Sequence, residues 1–355
     1  MTTTLQELLD AAVANDAVPG AAALVARGDA VELASAGEVE PDSIARIASL
    51  TKPVTAAAVM LLVDNGLVRL DDPIARWLPE LASPRVVRTP QSPVDDLVPA
   101  TRPITVDDLL TFRAGWGFPA DFSLPAVVQL FEKLPVFGPR ETPDEWLATL
   151  ADVPMLRQPG EAWLYNTCSD IQGVLIARVS GQPLPEFLHE RVFEPLGMTD
   201  TGFYVPPDKL ERLPPYRGPD FAAIDDTLWT APPIFPSGAG GLVSTLADWH
   251  RFGRMLLGDG GSILSSSSVR SMMSDHLTQE QRGVSALFLE GAGWGFGGAV
   301  TADGRYGWIG GSGTAAHVVT STGTVGVLLT QVQMAGPTPT PLMRQFWQYS
   351  FGAGR

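Results

Sequence analysis

The sequence predicts one mixed α/β body whose sheet is assembled from the two ends of the chain. Three observations carry this: strand-length apolar runs follow the first helix, strand-like segments return at residue 293, and helical periodicity fills the interval between. At about 150 residues per domain, 355 residues make two domains or one large body with a long insertion. No repeat of fixed period is visible.

Leu5, Leu8, Leu9, Ala12 and Val13 recur at helical spacing, and Val18-Pro19-Gly20 ends that helix. Residues 21–26 and 30–36 are strand-length runs joined by Arg27-Gly28-Asp29, where a Gly-Asp pair suits a hairpin turn. A second helical pattern starts at Ser49, continues through Val54, Ala58, Leu61 and Leu62, and ends near Gly66. Residues 73–103, rich in Pro, Asp and Arg, read as loop with short helical turns. Helical patches follow at 105–110, 143–150, 170–179, 184–196, 244–257 and 267–274. Strand grammar returns at 293–300, 305–309, 315–320 and 324–329, and residues 342–349 make a closing helix.

Composition narrows the function classes. An apolar share of 45%, with Gly 36 and Pro 31, is that of a compact protein with many turns rather than a low-complexity chain. Lys+Arg 24 against Asp+Glu 39 leaves a formal charge of −15, which repels a phosphate backbone. Nucleic acid is therefore not an expected partner. The single cysteine, Cys168, excludes a disulfide framework and a Cys-rich metal site, and its apolar neighbours make it core filler. His189, His250, His276 and His317 show no metal-ligand spacing. The start, M-T-T-T-L-Q-E-L-L-D-A-A-V, lacks a basic segment followed by an apolar run. Apolar stretches such as 56–63 fall far short of the ~20 residues that span a bilayer. The expectation is a soluble, cytoplasmic protein with no membrane partner.

Ser49-Leu50-Thr51-Lys52 sets a hydroxyl and an amine three residues apart at a helix start, on one face and within mutual reach. A serine hydroxyl becomes a nucleophile when a base takes its proton, and a lysine serves as that base once burial or a helix N-terminus lowers its pKa. The helix start also frees the Ser49 N–H to face a developing oxyanion. The chain has only three lysines (Lys52, Lys133, Lys209), so S-x-x-K is expected by chance ~0.2 times. Rival motifs fail. The G-x-G-x-x-G of Gly293 to Gly298 precedes no helical pattern, and no G-x-S-x-G elbow occurs.

The stretch I-A-R-I-A-S-L-T-K-P-V-T-A-A-A-V-M-L-L-V-D-N-G-L-V-R-L-D-D-P-I resembles the nucleophile region of the serine β-lactamase and penicillin-binding-protein superfamily. The likeness is to its class C-like branch, which includes the family VIII carboxylesterases. Downstream, P-G-E-A-W-L-Y-N-T-C-S-D-I-Q-G-V-L-I-A-R-V-S-G is similar to the segment carrying the family's catalytic tyrosine. S-G-A-G-G-L-V-S-T-L-A-D-W-H-R-F-G-R-M-L-L resembles the helix before the closing strands, and Y-G-W-I-G-G-S-G-T falls where the family has its K-T-G or H-T-G strand. The resemblance implies a β-lactamase/transpeptidase-like α/β (α+β) fold, an antiparallel sheet flanked by helices. The sheet domain would comprise residues 1–75 and 285–355, with a mostly helical insertion at 76–284 and the active site in the cleft between.

It also implies roles. Ser49 is the acylated nucleophile and Lys52 its base. Tyr165 is the second base, whose pKa near 10 would have to fall beside the Lys52 ammonium. The N–H groups of Ser49 and Gly311 form the oxyanion hole. Two departures bear on substrate. Thr167 stands at the asparagine of the family's Y-x-N, with Asn166 expected to point elsewhere. Trp308-Ile309-Gly310 replaces K-T-G, so an indole stands where relatives meet a β-lactam carboxylate with a cation or histidine. An apolar wall favours neutral acyl groups. Asn166, Thr167, Trp308, Ile309 and Gly310 are thus candidate substrate-binding residues, joined by the loop aromatics Trp116, Phe118, Phe122, Trp229 and Phe235.

The expected function is a carboxylesterase-like serine hydrolase working through an acyl-enzyme on a small-molecule ester or amide, with no metal or organic cofactor. A β-lactamase or D-Ala-D-Ala peptidase, an acyltransferase and a non-catalytic ligand-binding member remain as alternatives. Oligomeric state is left open.

Overall fold

The structure, a computed structural model, describes residues 3–135, 141–224, 227–258, 260–261 and 263–352. Helix α1 (Leu5–Ala14) opens on a capping box in which Thr4 and Glu7 bond each other's backbone. Strands β1 (Gly20–Arg27) and β2 (Ala30–Gly37) form the expected hairpin, with Arg27 opposite Ala30 and Gly28 in the turn at φ +59°. The short strand β3 (Ala45–Arg46) runs into a 3₁₀ turn, Ala48–Leu50, and then helix α2 (Thr51–Asp64). Helix α2 is buried from Thr51 to Leu62, so its apolar residues surround it rather than line one stripe.

Residues 73–103 contain two 3₁₀ turns and also a small hairpin, β4 (Arg85–Val87) with β5 (Leu97–Pro99). The sequence reading missed that hairpin because Pro90 and Pro93 punctuate its connection and hide two very short strands. Helix Pro125–Lys133 was missed as well. Helix α3 (Thr167–Ser180) starts three residues earlier than the periodicity predicts. Strand β6 (Val243–Ser244) pairs with β3, and helix α4 (Leu246–Leu257) follows.

The C-terminal strands are β7 (Gly293–Trp294), β8 (Ala299–Val300), β9 (Arg305–Gly310), β10 (Thr314–Val319) and β11 (Thr324–Leu329), before helix α5 (Pro341–Phe351). The single strand expected at 293–300 is a tight hairpin instead. Its Gly297, at φ +76°, lies so close to the backbone of α2 that an added Cβ would sit 2.5 Å from the Lys52 carbonyl oxygen.

These strands build one seven-stranded antiparallel sheet in the order β2-β1-β11-β10-β9-β8-β7. Strand β11 inserts between β1 and β10, with Leu24 opposite Val327 and Val318 opposite Val325. Helices α1, α4 and α5 pack on β1, β2, β10 and β11, while the 48–50 turn lies against β9 and β10. Strands β1, β10 and β11 are buried at nearly every position, which is why they read as continuous apolar runs rather than as alternation. No helix among the described residues is long and apolar enough to cross a membrane.

Candidate active site

Ser49 lies in the 3₁₀ turn rather than in the helix proper, and Ala48 before it holds φ at +45°. The Thr51 hydroxyl fixes that bend by donating to the Ala48 carbonyl at 2.7 Å and accepting from the Leu242 N–H at 3.1 Å. Pro53 fits the first turn of α2 because its missing N–H would have had no helical partner there. Lys52, fully buried, donates at 2.6 Å to the Ala239 carbonyl and at 2.9 Å to Asn166 Oδ1, with Ser49 Oγ also at 2.9 Å. The Ala239 segment is itself held, because the buried Asp170 carboxylate accepts from the Ser237 hydroxyl at 2.6 Å and the Ala239 N–H at 3.1 Å.

Tyr165 precedes helix α3 and turns its ring under Lys52, 4.7 Å from Nζ to the ring centroid. Its hydroxyl accepts from the Trp308 indole N–H at 2.7 Å. The tyrosine is half-buried and lines the cleft. Burial pushes the phenol up to about 12, opposed by hydrogen bonds with Ser49 and Trp308. The direction is opposite to the expected fall, and Lys52 Nζ lies over the ring face. The Tyr165 phenol is thus held in its protonated form at neutral pH.

A stability consequence follows. An unfolded tyrosine ionises near pH 10 while folded Tyr165 keeps its proton to about 12, so the folded state binds more protons in that window. Stability should fall as pH rises from 10 to 12, and thermal melts of Tyr165→Phe should fall less steeply than those of the wild type. Equal slopes would show that the phenol is not held protonated.

A cleft of about 480 Å³ opens above Ser49, lined by Phe118, Phe122, Tyr165, Asn166, Trp308, Ile309 and Gly311, together with Phe131, Phe288 and Met334. None of the described residues that line it is charged. Strand β9 brings Gly311 to Ser49: Gly310 carries no Cβ because one would sit 2.4 Å from the Ile47 carbonyl oxygen. The Thr314 hydroxyl donates to that carbonyl at 3.1 Å, and Ser312 donates to the carbonyl of Arg46. Among the described residues, neither the Ser49 nor the Gly311 N–H has a main-chain partner, which leaves both donors available to an oxyanion.

The structure separates the other candidates. Asn166 does not point elsewhere. It lines the cleft and bonds Lys52, with φ +83° and ψ −66° and a 3.3 Å bond from the Thr167 N–H to the Tyr165 carbonyl across it. That is a γ-turn with a left-handed φ, a backbone state costing of order 1–3 kcal/mol for a residue with a side chain. Thr167 is buried as the first residue of α3 and lies outside the cleft lining, and Gly310 serves close packing instead of substrate contact. Trp116 is a core residue whose indole N–H bonds the Val153 carbonyl at 2.8 Å. Trp229 packs beside Ile44, Val205 and Val243. Phe235 lies against Trp146 and lines a different, larger cavity of about 790 Å³ that holds none of Ser49, Lys52 or Tyr165. The chemistry assigns the site to the smaller cleft.

Sequence reasoning missed Phe131, Phe288 and Met334 in the wall, and the Ala239 carbonyl with Asp170 behind it. Phe131 could have been found from its helical spacing to Val127, four residues earlier. A main-chain carbonyl leaves no side-chain signal. Among the described residues, no group of three or more His, Cys, Asp or Glu is placed to hold a metal ion.

Comparison with known proteins bears on family and fold. Protein Rv1367c of Mycobacterium tuberculosis (strain H37Rv) is 42% identical over 277 residues, covering 75% of this chain and 68% of its own. Esterase EstB of Burkholderia gladioli is 28% identical over 325 residues, covering 82% of this chain and 78% of its own. Among solved structures, EstCE1, described as a hydrolase with promiscuous acyltransferase activity, superimposes with a TM-score of 0.82 over 98% of this chain and 97% of its own, at 23% identity. The Beta-lactamase family model matches residues 5–345, and the chain belongs to the Beta-lactamase family.

Proposed function

We propose that the protein is a carboxylesterase-like serine hydrolase that acts on neutral small-molecule esters through an acyl-enzyme on Ser49. The observation that carries this reading is the Ser49–Lys52 contact of 2.9 Å beneath a cleft whose described lining bears no charge. Relatives named as an esterase and a hydrolase support an enzyme of this kind.

In this mechanism Lys52, as the neutral amine, takes the Ser49 proton while Oγ adds to the ester carbonyl. The Ser49 and Gly311 N–H groups bind the oxyanion. As the tetrahedral adduct collapses, the C–O bond to the alcohol breaks, and the departing alkoxide takes a proton from Tyr165, which regains one from Lys52. Water then adds to the acyl carbonyl and gives its proton to Lys52, neutral once more; the bond from the acyl carbon to Ser49 Oγ breaks, Oγ takes that proton back, and the acid is released. The cleft would lie between a sheet portion, residues 1–75 and 285–355, and the helical insertion, residues 76–284.

Trp308 places an indole N–H, already given to Tyr165, where a carboxylate-pairing cation would be needed for a β-lactam. A buried carboxylate without a partner costs several kcal/mol. On a panel of p-nitrophenyl esters of rising chain length beside nitrocefin, the best neutral ester should show kcat/KM at least ~10²-fold above nitrocefin, about 2.7 kcal/mol. Trp308→Lys should narrow the gap from both sides. Preference of the unmutated protein for nitrocefin would replace this reading with a β-lactamase. Acyl transfer is the second reading, favoured by the aromatic wall: an apolar alcohol can dock there and outcompete water. Transfer product formed from an added alcohol would mark it.

A further inference from the structure

We propose that the ring-lined end of the cleft is a subsite for an aryl group of the ester, and that Phe122 at its rim is the residue that selects for the ring. The proposal rests on the reading of Ser49 as the nucleophile and adds the class of substrate: neutral esters that carry an aromatic ring.

Aromatic side chains lead away from the serine in successive contact. Ring centroids of Trp308 and Tyr165 lie 5.6 Å apart, those of Tyr165 and Phe288 4.8 Å, and those of Phe288 and Phe122 6.1 Å. Phe118 and Phe131, stacked at 4.6 Å, complete the wall. All of these rings line the same cleft of about 480 Å³ that contains Ser49.

Phe118, Phe288 and Trp308 are buried and pack the protein whether or not a substrate is bound. Phe122 is different. It is 39% exposed, and Phe118, Phe131 and Phe288 meet it at 5.9–6.2 Å with interplanar angles of 40–56°, so none of these neighbours stacks flat on it. The chain nonetheless fixes it at the mouth. Asp121 Oδ1 accepts from the Ser123 N–H at 2.9 Å and from the Ser123 hydroxyl at 2.6 Å, closing a turn around Phe122, and the Ala120 N–H donates to the Val284 carbonyl at 3.0 Å. A ring held in place while its surface stays in water gains free energy when an apolar ligand covers it.

Ring walls distinguish one apolar ligand from another. The electropositive edge of a benzene ring meets the electronegative face of a tilted wall ring, whereas a saturated ring offers only apolar area, of which it has slightly more. Burial alone therefore ranks cyclohexyl at or above phenyl. An aryl subsite reverses that order.

The test uses two matched pairs followed by pH-stat titration. Methyl phenylacetate against methyl cyclohexylacetate puts the ring on the acyl side, and benzyl acetate against cyclohexylmethyl acetate puts it on the alcohol side. In the wild type the aryl member of at least one pair should lead by ~10-fold in kcat/KM. Phe122→Leu keeps an apolar side chain and should bring that ratio to about one, while Phe122→Tyr should retain it. Three outcomes would overturn the proposal: the cyclohexyl ester equal or better in both pairs, a ratio unchanged by Phe122→Leu, or Phe122→Leu lowering both members of each pair by the same factor. Failure of the Ser49 reading is read separately, because binding of benzyl alcohol and cyclohexylmethanol to Ser49→Ala, measured by ligand-observed NMR, needs no nucleophile. Absent ester turnover together with tighter binding of benzyl alcohol would end the Ser49 reading and keep the aryl subsite. Equal binding of the two alcohols would end the subsite.

Discussion

Replacing Ser49 by alanine is expected to reduce turnover of p-nitrophenyl butyrate to the background rate while leaving thermal unfolding nearly unchanged. In the proposed mechanism the hydroxyl is the group that becomes acylated, so no smaller effect is compatible with it. The serine is partly exposed at the cleft floor, and losing its oxygen opens no large cavity. Fluorophosphonate treatment of the wild type should add one mass increment, located on Ser49 by peptide mapping. An adduct on any other serine, or near-normal turnover by the alanine variant, would end the mechanism.

The next largest effects belong to the proton path. Lys52→Ala and Tyr165→Phe should each lower kcat by about 10²–10⁴, the range of a lost general acid or base. The double variant should be little worse than the worse single one. Lys52 lies over the Tyr165 ring and within hydrogen-bond reach of Ser49, and groups that pass one proton do not act independently. Lys52→Ala carries a second expected mark: the Asn166 and Ala239 carbonyls lose a buried donor, so Tm should drop as well. Tyr165→Phe should leave Tm closer to that of the wild type. Additive losses of tenfold or less would reduce both side chains to packing.

Most of the sheet was legible because β1, β10 and β11 are compact apolar runs set between glycines, and the hairpin at Gly28 announces itself. The serine and lysine were legible because helical spacing places them together whatever surrounds them. Asn166 was not. Its direction depends on a left-handed φ imposed by tertiary contact, and neighbouring residues in the sequence carry no sign of it. The aromatics divided for a similar reason. Phe118, Trp116 and Phe235 all follow or precede glycine or proline in loops, but only the packing of distant segments decides which faces a cleft, which a core and which another cavity. Trp308 was read as a wall and is also a hydrogen-bond donor, a role set by a partner 143 positions away.

The order of strands in the sheet has a meaning in time. A nascent chain that has emerged only as far as residue 290 already carries Ser49, Lys52, Tyr165 and Asn166. It lacks Gly311 and Trp308, and its β1 has no neighbour on the side that β11 will occupy. Pairing of β1 with β11 joins segments some 300 residues apart, Ala22 with Leu329 among them, and contacts of such separation form late and slowly. On the proposed mechanism, the nucleophile is synthesised early and its oxyanion donor Gly311 late, so reactivity toward esters would begin with the step that closes the sheet.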